Sequence, residues 1–181
     1  NIIYLDGKLR SSEQAIQQAL AHEFGHKLDP RLANLGVSDR ETYIREGLAD
    51  EGLAEINREV IRRETVKRLG GNGAFGAAFT DEKAVSLLNK GVSAFIKAGG
   101  IDATVETIAR DVGQIFRQRA PSTNLGLTYG EYYGAAFDHY KETGSLDGVQ
   151  GRWDQIAKTN RQLWDHALKQ AEEAAAKIRP P

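Results

Sequence analysis

Residues 22–26 read HEFGH, a motif that combines two potential metal ligands with a potential general base. On a helix, His22 and His26 lie one turn apart on the same face, with Cβ atoms roughly 5–6 Å apart, so both imidazoles can bind one Zn²⁺. Glu23 is rotated by about 100° from His22. From there it can reach a water on the metal and take its proton, so that a hydroxide attacks a polarised carbonyl. The motif predicts a hydrolytic zinc site.

Composition alone would rarely produce this motif. The chain has 4 histidines in 181 residues, and a chance HExxH in such a chain has a probability of about 1%. The alternative is a pair of helix histidines that make ordinary surface or core hydrogen bonds. Because half of the chain's histidines stand in this one relation, we interpret them as zinc ligands.

A catalytic zinc site needs a third protein ligand and keeps its fourth position for water. Leu32 stands where the short HExxHxxGxxH spacing would place a third histidine, and the chain has no cysteine. The remaining candidates are carboxylates. The sequence therefore predicts an aspartate or glutamate as the third ligand.

Two glutamates compete for that role in the segment IREGLADEGLAEINRE (44–59), where the phrase EGLA[DE] occurs twice. Helical phase places Glu46 in an apolar stripe with Leu53 and Val60, whereas Glu51 falls on the polar side of the helix. A carboxylate in a buried stripe must be paired or bind a metal. Phase therefore favours Glu46 as the ligand, with Glu51 as the alternative. Asp50 borders the stripe and is placed to accept the second N–H of a ligand histidine.

Hydrophobic periodicity and capping residues predict a mostly α protein with a short N-terminal strand or small β element. The strand covers residues 2–6. The first helix begins at Ser11 or Ser12, and capping boxes are predicted at Ser38–Glu41 and Thr128–Glu131, with Thr80 as a further cap. The predicted helices span residues 12–28, 38–69, 81–98, 102–119, 129–143 and 152–178.

Length and composition fit one globular domain, residues 1–181, with a catalytic core at about 1–69 and a helical remainder at about 80–181. The net charge of −1 gives no reason to expect a nucleic-acid partner. No apolar run approaches the roughly 20 residues that a membrane span needs. Because the chain begins with Asn1 and contains no methionine, we expect a processed protein or a domain excised from a longer one.

HEFGH followed by nineteen residues and EGLAD resembles the gluzincin branch of the zincin metallopeptidases. The resemblance covers roughly residues 12–64. It implies a zincin-like helical domain that hydrolyses peptide bonds with Zn²⁺ as cofactor. It also implies Glu46 as the third ligand and Glu23 as the base.

Two further resemblances nominate other ligands. DEGLAEINREVIRRE (50–64) is similar to a phrase in metallopeptidase domains at the ends of bacterial effectors and polymorphic toxins, which implies Glu51. YGEYYGAAF (129–137) is similar to the ligand segment of lethal-factor-like toxin proteases, which implies Glu131.

These toxin-like phrases lead us to expect a secreted or secretion-delivered effector domain. Its partners would be a protein or peptide substrate and a cognate immunity or delivery protein. The rival hypothesis is a non-catalytic helical binding domain with a structural or incidental metal site. A zincin fold that acts on a non-peptide amide is a third possibility.

Overall fold

All regular secondary structure among the described residues is α-helical. The computed structural model describes residues 12–28, 36, 39–69, 79, 81–118 and 126–178. The helices are α1 (Glu13–Leu28), α2 (Arg40–Leu69), α3 (Glu82–Ala98), α4 (Ala103–Phe116), α5 (Tyr129–Thr143) and α6 (Val149–Ile178). No strand occurs in these ranges, and the predicted strand at residues 2–6 lies outside them. The expectation of a mostly α protein is confirmed.

Local capping sets where several helices begin. Ser12 Oγ accepts from the Ala15 backbone N–H at 3.1 Å, as predicted for α1. Thr128 and Glu131 form the predicted capping box of α5. Two caps differ from the prediction by one residue: Asp39 accepts from the Thr42 N–H at 2.8 Å, and Asp81 accepts from the Ala84 N–H at 2.9 Å. An aspartate is at least as good an N-cap as the serine or threonine before it, so both N-caps lie one residue later.

The helix α2 is the centre of the first of two compact units, which comprises Asn1–Gln118. It packs against α1, α3 and α4, and four of its large apolar side chains are fully buried. The predicted catalytic core at 1–69 therefore contributes two helices to a unit that also contains α3 and α4. These four side chains are Ile44, Leu48, Leu53 and Ile56.

The crossing of α2 and α4 depends on glycines on both helices. A Cβ on Gly52 would lie 2.7 Å from the Gly113 backbone nitrogen, and a Cβ on Gly113 would lie 3.0 Å from the Ala49 nitrogen. Side chains at these positions would hold the helices apart. The helix-propensity cost of about 1 kcal/mol per glycine is offset by this close backbone contact.

The second unit, Arg119–Pro181, contains the hairpin of α5 and α6. Trp153 stacks on Tyr132, with ring centroids 4.3 Å apart, and its indole N–H donates to the Tyr132 carbonyl at 3.1 Å. Asn160 donates to the Gly126 carbonyl and to the Glu131 carboxylate. These contacts fix α6 against the beginning of α5. Among the described helices of both units, none has the length and apolar character needed to cross a membrane.

Candidate metal centre

A close crossing of α1 and α2 positions the HEFGH motif. A Cβ on Gly25 would lie 2.5 Å from the Ala54 Cα, so only glycine allows this approach of the two backbones. Asn57 of α2 makes a second contact between the helices. Its side-chain amide donates to the Ala21 carbonyl at 3.3 Å in the buried interface. The crossing brings the two histidines of α1 over the acidic segment of α2.

Three side-chain atoms converge at this crossing. His22 Nε2 and His26 Nε2 are 3.1 Å apart, and Glu51 Oε2 lies 3.2 Å from His22 Nε2 and 3.7 Å from His26 Nε2. These residues form the group of metal-ligand side chains found among the described residues, and they could hold a metal ion. The structure thus brings together His22, His26 and Glu51.

The other nitrogen of each imidazole faces a second carboxylate. His26 Nδ1 is 2.6 Å from Asp50 Oδ2, and His22 Nδ1 is 2.9 Å from Glu55 Oε1. An ionised carboxylate can only accept, so each Nδ1 carries the hydrogen and donates it. Each Nε2 is thereby aimed at Glu51. Asp50 makes the histidine contact that was predicted for it, with Nδ1 of His26.

The carboxylates also control the charge of the imidazoles. Burial by itself lowers the pKa of His22, but hydrogen bonds and charge attraction from Glu51 and Glu55 outweigh it and raise the pKa to about 10. Burial likewise lowers the pKa of His26, and the contact with Asp50 followed by the charge of Glu51 raises it above its ordinary value. Without a cation the site therefore favours protonated imidazole, and a bound metal ion would have to displace protons.

Glu46 is not brought to the histidines. Its side chain is 41% exposed and its described ion pair is with Arg45, at 3.8 Å, whereas the Glu51 side chain is 8% exposed. The two glutamates are five residues apart, which is about 140° around a helix, so they cannot face the same pair of histidines. The expectation that Glu46 lies in a buried stripe is wrong, and Glu51, which was expected on the polar side of the helix, is buried.

The reason for this difference is that α2 is covered on more than one side. The apolar stripe is buried at Leu53 but open at Glu46, two turns nearer the beginning of the helix. The polar side with Glu51 and Glu55 is the side that α1 covers. Helical phase identified the two sides of α2 correctly but could not show which of them another helix would bury.

Glu55 is a site residue that the sequence reasoning did not identify. It stands one turn after Glu51 and so lies on the same side of α2. A signal for it was present in the sequence, because a metal-binding histidine normally donates its second N–H to a carboxylate or carbonyl. Two metal-binding histidines therefore require two such acceptors, and only Asp50 had been predicted to be one.

Glu23 lies on α1 in the first unit, whereas Glu131 lies on α5 in the second. Glu23 is half-buried on α1, about 60° around the helix from His26 and on the opposite flank from Gly25, which contacts α2. Glu131 belongs to the second unit, where its carboxylate accepts from the Thr128 N–H at 2.7 Å and completes the capping box. The structure therefore gives Glu131 a local role in starting α5.

Comparisons with protein-family models, with curated proteins and with solved structures found no match to this chain. Its function is therefore inferred from its own residues.

Proposed function

We propose that the chain is a zinc-dependent peptidase that uses His22, His26 and Glu51 as metal ligands and Glu23 as general base. The observation that carries the proposal is the convergence of the two Nε2 atoms and Glu51 Oε2 at separations of 3.1, 3.2 and 3.7 Å. Zinc binds nitrogen and oxygen ligands at about 2.0–2.1 Å in a tetrahedron, which separates neighbouring ligand atoms by about 3.3–3.4 Å. The three atoms match three corners of such a tetrahedron.

The number of ligands supports a catalytic site over a structural one. Structural zinc sites almost always use four protein ligands, whereas catalytic sites use three and leave one position open. Within the part of the chain that the structure describes, the group contains three. The histidine side chains are 18% and 15% exposed, so the site is shielded without being sealed from solvent.

The charges around the histidines support a divalent cation. Asp50, Glu51 and Glu55 carry three negative charges, and Arg58, which is bonded to Glu55, carries one positive charge. These charged groups leave −2 when the imidazoles are neutral. One divalent cation, such as Zn²⁺, would neutralise that charge.

The chain's own residues would then divide the reaction between them. Zinc, when bound, supplies Lewis acidity that polarises the substrate carbonyl and acidifies water. A carboxylate oxygen of Glu23 would accept the proton of the attacking water and pass it to the leaving amine. Asp50 and Glu55 would hold the imidazoles in the orientation that presents Nε2.

The biological setting that we propose is an effector or toxin domain, secreted or delivered by a bacterial secretion system. Its support is the phrase DEGLAEINREVIRRE (50–64), which contains Glu51 and resembles phrases of such metallopeptidase domains. A protein or peptide substrate and a cognate immunity or delivery protein would be its partners.

The test is to separate metal binding from catalysis with one variant of each kind. We expect about one zinc per wild-type chain by elemental analysis, loss of zinc in His22→Ala, and full zinc content in Glu23→Gln. Cleavage of a peptide library by Glu23→Gln should fall by about 10²–10⁴-fold, the contribution typical of a general base.

A non-catalytic metal-binding domain would give a different result: full zinc content with no cleavage by the wild type, and no difference between wild type and Glu23→Gln. Absence of zinc from the wild type would refute the metal centre itself. Release of products from amide substrates that are not peptides, such as cell-wall fragments, would change the substrate class but keep the chemistry.

A further inference from the structure

The Glu55 carboxylate uses its two oxygens for two different partners. Oε1 accepts from His22 Nδ1 at 2.9 Å, and Oε2 accepts from Arg58, with both Nε and a terminal nitrogen of the guanidinium at 2.9 Å. The Glu55 and Arg58 side chains are 9% and 13% exposed. The pair is therefore weakly screened by solvent, and its geometry is restrained by the planar fork of the guanidinium.

The residues that connect Arg58 to the metal centre lie on one face of α2. Glu51, Glu55 and Arg58 are separated by four and three residues, so they lie along the same side of α2, the side that faces α1. The guanidinium holds one oxygen of Glu55, which leaves the other directed at the imidazole. The imidazole in turn presents Nε2 to Glu51.

From this arrangement we infer that Arg58 is a positioning residue of the metal centre. It orients Glu55, and through Glu55 it orients His22, without touching the metal, the substrate or the reacting atoms. The inference rests on the proposed metal ligands. It extends the site to a residue that no sequence motif indicated.

The same helix contains a matched control. Arg62 and Glu59 have the same spacing of three residues, with Arg62 Nε at 2.7 Å from Glu59 Oε2, and Glu59 is as buried as Glu55. The described partners of Glu59 are Arg62 and Arg63, and Arg63 also donates to Asn89 of α3. Removing Arg62 thus disrupts a similar ion pair that is not connected to a histidine.

The experiment measures zinc affinity of the full chain by competition with a chromophoric chelator. Loss of an outer partner of a metal ligand typically weakens affinity by about 10–100-fold, so we expect at least a tenfold increase in Kd for Arg58→Met. Arg62→Met should stay within about twofold of the wild type. Arg58→Lys, which keeps the charge but loses the fork, should lie between the two.

Cobalt(II) provides a second readout that a loss of stability alone would not change. We expect the visible absorption of the Co²⁺-loaded Arg58→Met protein to differ in position or intensity from that of the wild type, because the His22 imidazole is no longer held. The spectrum of Arg62→Met should match the wild type. Circular dichroism at low temperature would establish that all three variants are folded before titration.

The outcomes distinguish this inference from the proposed function. If the wild type binds zinc and Arg58→Met binds it equally tightly with an unchanged cobalt spectrum, Arg58 has no positioning role, while the proposed peptidase stands. Equal losses in Arg58→Met and Arg62→Met would also overturn the inference, because they would indicate a general loss of charge on α2. A wild type without zinc affinity would refute both.

Discussion

At the scale of single residues, the site depends on how each imidazole is turned. A histidine has two nitrogens, and the one that binds a metal is set by the hydrogen bond of the other. Asp50 and Glu55 occupy the Nδ1 atoms of His26 and His22, so both Nε2 atoms are left facing Glu51. Asp50 and Glu55 thus determine which imidazole nitrogens face Glu51 in the candidate metal site.

The choice between the two glutamates can be tested by matched substitutions. Glu51→Gln should reduce zinc affinity by about 10²-fold or more, because it replaces a carboxylate ligand with a neutral amide. Glu46→Gln should leave the affinity within about twofold, since that side chain is 41% exposed and pairs with Arg45. Isothermal titration calorimetry with Zn²⁺ measures both. The reverse pattern would restore Glu46 as the ligand.

Glu59 gives the chain an acid-sensitive contribution to stability. Burial alone raises the pKa of its carboxyl group, but hydrogen bonds from Arg62 and Arg63 outweigh it and lower the pKa below the ordinary value of 4.5. Because the folded-state pKa is the lower one, the stabilisation is present above about pH 4.5 and is lost as the pH falls through the folded-state pKa.

We therefore expect the free energy of unfolding to fall less steeply below about pH 4.5 in Glu59→Gln than in the wild type. Urea unfolding of the metal-free chain at a series of pH values gives both curves. Parallel curves for the two proteins would show that the Glu59 ion pairs do not contribute to the acid sensitivity.

At the scale of elements, the candidate site exists because α1 and α2 approach closely. Gly25 lies two positions after Glu23 inside the HEFGH motif, and it is the residue through which α1 contacts the backbone of α2 at Ala54. The glycine in this motif therefore has a packing function in addition to the chemistry of its neighbours. A larger residue would move the histidines away from Glu51.

Substitution of Gly25 by alanine distinguishes the effect of this close contact on stability from the effect of helix propensity. Alanine is favoured over glycine by about 1 kcal/mol inside a helix, but overpacking typically costs about 1–3 kcal/mol. Gly25→Ala should therefore destabilise the chain or leave it no more stable, and should weaken zinc binding.

Gly151 is the matched control for this prediction, because it lies inside α6 and a Cβ there would meet nothing within 4 Å. Gly151→Ala should stabilise the chain by about 0.5–1 kcal/mol, with no change in zinc affinity. Urea unfolding and zinc titration of both variants provide the measurements. A Gly25→Ala protein as stabilised as Gly151→Ala would show that the helices do not approach closely at this point.

At the scale of the whole molecule, every described member of the candidate centre comes from the first unit. The histidines are on α1, and Asp50, Glu51 and Glu55 are on α2. The α5–α6 hairpin of the second unit has its own packing around Trp153 and Tyr132. A metal ion at the site would therefore cross-link two helices of one unit.

Hydrogen exchange provides a test of this division. Ligand that binds only the native state stabilises it by RT ln(1 + [L]/Kd), and the gain appears where local opening breaks the site. Saturating zinc should slow amide exchange in α1 and in the 46–60 part of α2, and should leave α5 and α6 unchanged. Protection of α5 alone, without α1, would place the metal elsewhere.

The number and bounds of the helices were largely predictable because the interactions that set them are local. Helix periodicity and capping residues act over a few positions, so the six helices were predicted close to their observed bounds, and Thr128 with Glu131 caps α5 as expected. The errors are local too: Asp39 and Asp81 cap their helices one residue after the positions predicted. The extent of the first unit, with α3 and α4 packed on α2, was not predictable from such short-range signals.

By itself, the sequence determined that His22 and His26 lie on one face of a helix, that Glu23 is beside them, and that the next helix carries an acidic segment. Only the tertiary structure decided which acid of that segment lies beside the histidines. Burial depends on which helix covers which side, and α1 covers the polar side of α2 that holds Glu51 and Glu55. Phase along one helix cannot reveal that, because it describes the helix before anything has packed against it.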